Sequence, residues 1–494
     1  MTRLTYATLD RLPTTIPSPL GRTPPTIGIV HFGPGAFHRA HQAAYVDALL
    51  ADDPRWGIAA VSMRSKATVA ALAEQDGLYT LAVRDADSSN RVIGAHRRFL
   101  GPDDAAQTHA LLADPAVRLV TSTVTEKGYC LAADGTLDLS HADIVHDLAG
   151  TATPRSLIGC AGTATPRSLI GWLVAGLDVR RVAGIAPFVP MPCDNLANNG
   201  AKLHAALVAF ARARDAGLAD WIAGEVRVPS TMVDSITPAS DAALYADVAE
   251  TLGLEDQAAV QRESFVQWVI EDIGVPLGPD LASVGATITR DVASYEKAKL
   301  RILNGAHSTL AYVGLLRGAT SVADAMRDAD LAEFVDAMIR DDIMPMLPAT
   351  AGLDLDAYRA AVLQRFRNPV IVHRLDQIAQ DGSQKLSYRL GDTLIAHRRA
   401  GRMPAGIVTA FGAWVAFLIR QARTGTPIVD PAGERLAAAA RDGTPTDVVA
   451  RLIDAALGFP PELRGDDAVR AAVADAAERI ARGDWTALGA RHAG

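Results

Sequence analysis

The stretch Thr26-Ile-Gly-Ile-Val-His-Phe-Gly-Pro-Gly-Ala-Phe-His-Arg39 decides the fold, because it joins a short apolar run to a glycine-rich turn. The apolar run predicts a buried strand, and residues 38–50 predict the helix that follows it. In such a turn Gly33 permits a sharp change of direction, and Gly35 lets a dinucleotide pyrophosphate approach the backbone. The third glycine of the usual fingerprint is replaced by His38, so an ordinary strand–helix turn is the open alternative.

Strands alternating with helices continue along the first half of the chain. Apolar runs predict a strand, a helix and two further strands at Ile58–Met63, Ala67–Glu74, Leu119–Thr125 and Val182–Val189. Such alternation is typical of a parallel α/β sheet. Beyond about Val292, alanine- and leucine-rich helical periodicity replaces it. We therefore predict an α/β domain over residues 1–290 and a mostly α-helical domain over residues 291–494.

Composition and charge narrow the class of protein. The 494 residues are too many for one core, which favours two domains. A formal charge of −8, without a long basic run, argues against nucleic-acid binding. The three cysteines (Cys130, Cys160 and Cys193) have no paired ligand spacing, which predicts a reducing compartment and no disulfide framework.

The sequence shows no export or membrane segment. The N-terminus has no apolar stretch before Pro13 of the kind that a signal peptide needs. The longest apolar run, Gly406–Ile419, is too short to span a bilayer and predicts a buried helix. We therefore expect a cytoplasmic protein that does not bind membranes.

The stretch Lys299-Leu-Arg-Ile-Leu-Asn-Gly-Ala-His307 carries groups that can manage a proton and an oxyanion. On an α-helix Asn304 lies roughly 140° from Lys299 and His307 roughly 80°, so one side can hold all three. Glu296 lies one turn upstream. Burial would lower the lysine pKa towards an acid/base range, and the asparagine amide can donate to an alkoxide. The alternative is an amphipathic helix with three solvated polar residues.

The end of the second predicted strand bears on the cofactor. A carboxylate there would bind the adenosine ribose and favour NAD. The sequence instead has Ser62-Met-Arg64-Ser-Lys66, whose two cations suit a 2′-phosphate. NADP is therefore an alternative to NAD, and a solvated strand end is a third interpretation.

The chain also contains a tandem duplication. Residues Ala149–Gly159 recur without change as Ala161–Gly171. Each copy predicts a loop with a Thr-Pro helix start, and the fold needs only one. We expect the other copy to form a surface loop, because added loop length costs little.

Six motifs, in order along the chain, resemble those of the mannitol dehydrogenase family, the polyol-specific long-chain dehydrogenases and reductases. The resemblance runs from about Gly28 to at least Arg389 and more loosely to the C-terminus. Because the six occur together, the resemblance is far more specific than any one of them. The motifs are Ile29–Gln42, Thr123–Tyr129, Cys193–Leu196 with Asn199-Gly200, Thr231–Ser235, Lys299–His307 and Asp381–Lys385.

The resemblance implies a Rossmann-type parallel-sheet N-terminal domain, an α-helical C-terminal domain and metal-independent hydride transfer between a nicotinamide and a secondary alcohol or ketone. By motif match, Lys299 would be the general acid/base, and Asn195 and Asn304 would form the oxyanion hole. The supporting residues would be His307, which orients substrate and lysine, Asp234, and Glu296 on the proton path. For single residues, Asn195 and Asn199 as turn residues and Asp234 as a helix cap are the alternatives.

The resemblance also implies a nicotinamide site on the N-terminal domain, with NAD as the cofactor and NADP as the alternative. The cofactor-binding residues would be Gly33, Gly35, Ala36, Phe37, Arg64, Thr125, Glu126 and Asn195. A monomer or a small homo-oligomer fits the family equally well. A catalytically silent dinucleotide-binding protein is an alternative from another class.

Within the family the chain resembles the fructuronate reductases, through the run from Phe366 to Arg389. Mannitol-type members tend to carry an arginine where Gln377 stands. The chain departs from the subgroup in having Ser387 where a proline is usual and in having Pro192 before its Cys-Asp-Asn motif. The implied reaction is reduction of D-fructuronate to D-mannonate, and the alternative is a mannitol or other hexitol 2-dehydrogenase.

A sugar acid differs from a polyol by one carboxylate, for which the site needs a cation. The candidates for binding the substrate carboxylate are Arg374, Lys385 and Arg389. An arginine can bind it through two hydrogen bonds and a lysine as a point charge. We favour Lys385, because exposed helix charges are an equal alternative for the two arginines.

Overall fold

The computed structural model describes residues 1–150 and 165–489. The chain divides into an N-terminal unit, Met1–Ala293, and a C-terminal unit, Ser294–Gly494, where the sequence predicts a division after residue 290. Strands belong to the first unit. They are β1 (Ile27–Phe32), β2 (Gly57–Val61), β3 (Tyr79–Val83), β4 (Ser89–Ile93), β5 (His96–Leu100), β6 (Leu119–Ser122), β7 (Val189–Pro192), β8 (Thr231–Asp234), β9 (Val260–Arg262), β10 (Gln267–Glu271) and β11 (Thr287–Thr289).

A five-stranded sheet in the order β5-β2-β1-β6-β7 forms the centre of the N-terminal unit, and every pair in it is parallel. The predicted parallel α/β sheet is thereby confirmed. Two three-stranded sheets, β11-β10-β8 and β4-β3-β9, accompany it. The helices of this unit are α1 (Ala36–Ala40), α2 (Gln42–Leu49), α3 (Ala67–Ala73), α4 (Ala105–Ala113), α5 (Ala142–Ala149), α6 (Leu169–Ala183), α7 (Asn199–Arg212), α8 (Ala216–Glu225) and α9 (Ala242–Leu252). Short 3₁₀ segments of the chain are Tyr6–Arg11, Pro54–Trp56, Glu126–Tyr129, Ala282–Val284, Met344–Met346 and Pro461–Leu463.

Each face of the central sheet buries an apolar cluster. Successive residues of β1 alternate between the clusters, because side chains of a strand point to opposite faces. Val30 and Phe32 pack with α6, α7 and α8, whereas Ile29 packs with α2. His31 points to the same face as Ile29. The sheet therefore holds a polar imidazole among apolar neighbours directly before the Gly33 turn.

Two of the predicted elements need correction. The predicted strand Val182–Val189 is wrong, because α6 continues through Ala183 and ends at Gly184 with φ of 68°. The strand begins only at Val189. The helix predicted over residues 38–50 is interrupted at His41, whose backbone (φ −116°, ψ −90°) separates α1 from α2.

The duplicated sequence lies partly outside the described residues. Its expected surface loop falls on residues 151–164, which the structure does not describe. The predicted Thr-Pro helix start of the second copy is wrong, because α6 begins after Ser168, whose hydroxyl accepts from the Gly171 N–H at 2.9 Å. Asp147 on α5 in turn accepts from the Ser168 N–H at 2.9 Å, which ties the two helices together.

The C-terminal unit consists of helices within its described residues. They are α10 (Val292–Ala298), α11 (Gly305–Leu316), α12 (Val322–Ala325), α13 (Ala329–Ala337), α14 (Leu355–Arg367), α15 (Leu375–Ile378), α16 (Gly382–Leu386), α17 (Asp392–Arg399), α18 (Ala405–Thr424), α19 (Gly433–Arg441), α20 (Pro445–Asp454), α21 (Asp467–Ala481) and α22 (Thr486–Gly489). By length and composition α18 could cross a membrane, but 78% of its apolar window is buried in the protein. The prediction of a buried helix over Gly406–Ile419 is thus confirmed.

Three segments of this unit are π-helical: Lys299–Asn304, Met338–Ile343 and Ser387–Gly391. The first packs against both others. A π-helix closes hydrogen bonds from residue i to i+5, and such turns occur frequently at functional sites. This wider turn replaces the regular α-helix on which the predicted angles between Lys299, Asn304 and His307 were based.

Three buried histidines lie on one face of the central sheet. The rings of His31 and His38 stack with centroids 3.4 Å apart, and His38 Nε2 lies 3.0 Å from His96 Nε2. Burial lowers the pKa of His31 and of His96 to about 3 each, and lowers the pKa of His38 well below its usual value. All three are therefore neutral at pH 7.

These histidines predict that the protein loses stability in mild acid. Unfolded histidines take up protons below about pH 6.5, whereas folded His31 and His96 stay neutral to about pH 3, and the pKa of folded His38 is also well below its usual value. The contribution of these neutral histidines to the free energy of unfolding is therefore fully present above pH 6.5. Below that pH it falls by up to about 1.4 kcal/mol per pH unit for each histidine. Urea unfolding at pH 7.5, 6.0 and 5.0 measures the slope, which His96→Asn should make shallower. Equal stability at the three pH values would contradict the prediction.

Candidate functional site

The Gly33 turn is fixed by the sheet beneath it. Gly33 has φ of +88°, and a Cβ there would lie 2.7 Å from the Thr123 carbonyl oxygen. Its N–H donates to the Val61 carbonyl at 2.9 Å, and its carbonyl accepts from the Gly35 N–H at 2.7 Å. Both the conformation and the space at position 33 therefore require glycine.

Gly35 differs from Gly33 in its surroundings. It is exposed, its φ is −68°, and a Cβ would meet no protein atom closer than 3.9 Å. The protein itself thus gives no reason for glycine at this position. Ala36 begins α1, and the half-buried Phe37 stacks on His41 with ring centroids 5.0 Å apart. The four predicted turn residues are consecutive apart from Pro34.

A pocket of about 180 Å³ lies beyond the carboxyl ends of β2 and β6. It brings together two of the predicted cofactor-binding residues, Arg64 and Thr125, and adds Met63 and Val124 as apolar walls. Glu126 was predicted with them, but its side chain lies outside the described part of the structure. The remaining lining residues are Lys127, Gly128, Cys130, Asp143, Arg167, Ser168 and Leu169.

The predicted strand-end cations have acidic partners at the surface. Arg64 Nη2 lies 3.2 Å from Asp143 Oδ2, and Lys66 pairs with Asp103. The Arg64 side chain is 79% exposed, so its ion pair contributes little and can exchange for another anion.

Asn195 and Asp234 lie at the ends of neighbouring segments of the N-terminal unit. Asn195 is exposed in the bend between β7 and α7, and Asp234 is the buried last residue of β8. Asn199 joins the two segments, because its Oδ1 accepts from the Thr231 N–H at 2.9 Å and its Nδ2 donates to the Thr231 carbonyl at 3.1 Å. The helix-cap alternative for Asp234 is wrong, since α9 starts at Ala242 with Asp241 as its cap.

In the C-terminal unit the π-segment carries Lys299 as its first residue and Asn304 as its last. Residues five apart lie about 140° apart on an α-helix but are hydrogen-bonded neighbours along a π-turn. The π-turn therefore brings these two side chains nearer to one face than the predicted α-helix would. Glu296, Lys299, Asn304 and His307 are all half-buried.

The His307 ring lies between two other rings. Its centroid is 4.6 Å from that of Phe366 and 5.8 Å from that of His373, which meets it edge-on at 65°. Burial, helped by the charge of Arg365, lowers the pKa of His373 to about 4, so this imidazole is neutral at pH 7. His373 was not among the predicted site residues, because nothing in its spacing links it to His307.

Of the three predicted carboxylate-binding cations, Arg389 lies next to the π-segment. Its Nη1 donates to Ser308 Oγ at 3.0 Å and lies 3.5 Å from the Asn304 carbonyl oxygen. Burial lowers its pKa. Within the described part of the chain, no carboxylate lies within ion-pair distance of Arg389, and the exposed-charge alternative for it is wrong.

The other two cations already have acidic partners. Arg374 is exposed and holds Asp376 with two hydrogen bonds, one of them 3.0 Å long. Lys385 Nζ donates to the Gln380 carbonyl at 2.9 Å and lies 3.2 Å from Asp381 Oδ2. The structure therefore groups Arg389, and not Arg374, with Asn304.

Metal ligands were not among the predicted site residues. In the described ranges, 1–150 and 165–489, no group of three or more His, Cys, Asp or Glu side chains is arranged to hold a metal ion.

Both units match domains of one known family. Residues 27–279 match the mannitol dehydrogenase Rossmann domain, and residues 291–481 match the mannitol dehydrogenase C-terminal domain. A D-mannonate oxidoreductase of Escherichia coli (strain K12) is 38% identical over 413 residues, which cover 82% of this chain and 82% of that protein. A mannitol 2-dehydrogenase of Phaeosphaeria nodorum is 34% identical over 478 residues, which cover 94% of this chain and 81% of that protein.

Among solved structures, a Pseudomonas fluorescens mannitol 2-dehydrogenase, in ternary complex with NAD and D-mannitol, is similar with a TM-score of 0.80 and 33% identity. The similarity covers 99% of each chain. The Rossmann-type first domain and helical second domain that the resemblance implied are thereby confirmed.

The geometry of the Gly33 turn predicts a large cost for a side chain there. Gly33→Ala should lower the free energy of unfolding by about 1–3 kcal/mol from backbone strain alone, and by more because of the contact with the Thr123 carbonyl. Gly184→Ala is the matched control, since Gly184 also has positive φ but nothing within 4 Å of its Cβ position. Chemical denaturation of both variants measures the difference, and equal losses would contradict the assignment.

Proposed function

The chain belongs to the mannitol dehydrogenase family of oxidoreductases, and we propose that it transfers a hydride between NAD and a sugar acid, reducing D-fructuronate to D-mannonate. The fold and the family do not by themselves select this substrate, because relatives named for mannonate and for mannitol have similar identities. The choice between the two substrates therefore depends on whether the site binds a carboxylate.

The observation that carries the proposal is the half-buried guanidinium of Arg389, whose Nε is buried without a hydrogen-bond partner. Desolvating a charge is costly unless it is paired, and no carboxylate of the described chain lies within ion-pair distance of this one. A substrate carboxylate would supply the missing partner through two charge-assisted hydrogen bonds. We therefore assign the carboxylate first to Arg389 and second to Lys385, and assign Arg374 to the surface.

The N-terminal unit fits a dinucleotide. Gly35 is exposed and has no protein neighbour that excludes a side chain, which supports close approach of a ligand to its backbone. The pocket lined by Arg64 and Thr125 has apolar walls suited to an adenine and lies where β2 and β6 end. Bound NADH would supply the hydride. The exposed Arg64–Asp143 pair leaves use of NADPH as the alternative.

Side chains of this protein would then stabilise the negative charge on the ketone oxygen and supply its proton. As the ketone is reduced, negative charge develops on its oxygen, and the amides of Asn304 and Asn195 would donate hydrogen bonds to it. Lys299 would give its proton to the same oxygen as general acid. In the reverse direction the neutral Lys299 amine would accept that proton.

Three further residues would support these steps. His307, whose ring is confined by Phe366 and His373, would orient the substrate hydroxyl and the lysine. Glu296, one turn before Lys299, would carry protons between the lysine and solvent. Asp234 would support the site from the end of β8.

A second function has its own support. Relatives named mannitol 2-dehydrogenase match the chain over more of its length, and the Pseudomonas fluorescens structure holds NAD and D-mannitol. If the chain interconverts mannitol and fructose, Arg389 would stabilise the π-segment through its contact with Asn304 and would not bind the substrate.

Initial-rate spectrophotometry separates the two functions. NADH and NADPH would each be offered with D-fructuronate and with D-fructose in parallel. We expect kcat/KM for fructuronate with NADH to exceed that for fructose at least tenfold. Preference for fructose would establish the mannitol-type reaction, and absence of turnover with both ketones would overturn the proposal.

Removal of the proposed acid/base should stop the chemistry without removing the cofactor. Lys299→Ala should lower kcat by about 10²–10⁴-fold, because proton transfer to the alkoxide is lost. Lys297→Ala, which changes an exposed lysine of α10, is the matched control and should be within twofold of wild type. Kinetics and NADH titration together test the assignment. Near-normal turnover of Lys299→Ala would exclude this residue as acid/base.

Asn304 is predicted to act on the transition state. Asn304→Ala should lower kcat by about 10²–10³-fold with little change in NADH affinity, as for other oxyanion donors. Steady-state kinetics on the preferred ketone measures this. A variant with full kcat would show that Asn304 has no such role.

Loss of the Arg389 charge should change substrate preference. Arg389→Gln should lower kcat/KM for fructuronate by about 10- to 100-fold, since a hydrogen bond to a charged group is worth about 1.5–3 kcal/mol. The fall for fructose should be smaller. Arg374→Gln is the control and should leave both values within twofold. Equal falls for the two ketones in Arg389→Gln would contradict carboxylate binding.

A further inference from the structure

The Gly33 carbonyl oxygen is held by an unusual set of donors. Besides the Gly35 N–H, it accepts from the Thr123 hydroxyl at 2.6 Å, and His31 Nε2 lies 3.2 Å away. A carbonyl oxygen has two lone pairs. Three converging donors therefore fix both the position and the orientation of this peptide group.

The proton on His31 can be assigned from the same network. A carbonyl only accepts, so Nε2 must carry the proton if it bonds Gly33, and it also reaches Thr123 Oγ1 at 3.0 Å. Nδ1 then accepts from the Thr121 hydroxyl at 2.7 Å. His31 is fully buried, and its low pKa keeps this neutral form across the working range of pH.

A second contact holds the imidazole in place. His38 on α1 stacks on His31 and is itself bonded to His96 on β5. The arrangement runs from β6 through β1 to β5, beneath the turn that the proposed function assigns to the dinucleotide. Packing alone does not require polar rings here, because the surrounding cluster is apolar.

We propose that His31 and Thr123 are positioning residues that hold the Gly33–Gly35 turn in its dinucleotide-binding form. The inference rests on the proposed function and adds to it a role for two residues that touch neither substrate nor the reacting atoms. Because the turn faces the cofactor and not the ketone, their loss should act on cofactor affinity more than on turnover.

Thr123→Val tests the proposal, since it removes the hydroxyl and keeps the β-branched shape. Thr121→Val is the matched control: Thr121 lies on β6, two residues before Thr123, and bonds the same imidazole, but it does not bond Gly33. We expect Thr123→Val to raise the Kd for NADH, measured by fluorescence titration, roughly three- to tenfold, as for loss of one or more neutral hydrogen bonds. Its KM for NADH should rise in step while kcat changes less than twofold, and Thr121→Val should bind NADH within twofold of wild type.

The outcomes separate this inference from the proposed function. Unchanged NADH affinity in Thr123→Val, or an equal loss in Thr121→Val, would overturn the positioning role while leaving the proposed function intact. A wild-type chain that does not bind NADH would overturn both. A second pair of variants tests the same role. His31→Gln should weaken NADH binding, whereas His96→Asn, the control at the far end of the network, should not.

Discussion

The absence of a side chain at Gly305, the first residue of α11, lets the end of the Lys299–Asn304 π-segment lie close to the Ser387–Gly391 segment. A Cβ at this position would lie 3.0 Å from Leu390 Cδ2 and 3.4 Å from the Arg389 carbonyl oxygen, so even a methyl group would require Leu390 to shift by a few tenths of an ångström. The contact between the two segments places the Arg389 guanidinium on Asn304 and Ser308. This close packing thus helps to hold the proposed oxyanion donor, Asn304, next to the proposed carboxylate-binding residue, Arg389.

The two units solve the same physical problem in different ways. Each must hold polar groups rigidly where little water can solvate them. In the N-terminal unit, neutral imidazoles and threonine hydroxyls satisfy one another around the Gly33 carbonyl. In the C-terminal unit, a desolvated arginine is left with neutral acceptors only. The groups around the Gly33 carbonyl find their partners within the chain, although Nδ1 of His38 and Nδ1 of His96 are buried without one. For the arginine we propose that an anionic ligand is the partner.

The sequence pattern correctly predicted those helices and strands whose apolar periodicity matches their burial in the folded protein. Strand β1, helix α3 and the buried helix α18 follow from apolar periodicity, and the motif order identified the family. The strand expected at Val182–Val189 is wrong because the β-branched Val182 belongs to the last turn of α6, which ends at Gly184. The π-turn could not be predicted, because periodicity rules assume 3.6 residues per turn.

Site residues divide in the same way. Spacing and motif were enough to identify Lys299, Asn304 and His307 as candidate site residues. Their roles remain predictions. Arg389 ranks above Lys385 as the carboxylate-binding residue only because of contacts that the folded structure shows. Asp381 and the Gln380 carbonyl already bind the lysine. His373 was missed for the same reason, as its only link to His307 is through space.

A crystal structure of the ternary complex with NAD and D-mannonate would show directly which residue binds the substrate carboxylate. We expect the mannonate carboxylate to bind the Arg389 guanidinium through two hydrogen bonds of about 2.7–2.9 Å. A carboxylate bound elsewhere, with Arg389 still bonded to Ser308 and not to the substrate, would contradict the claim that this arginine selects a sugar acid.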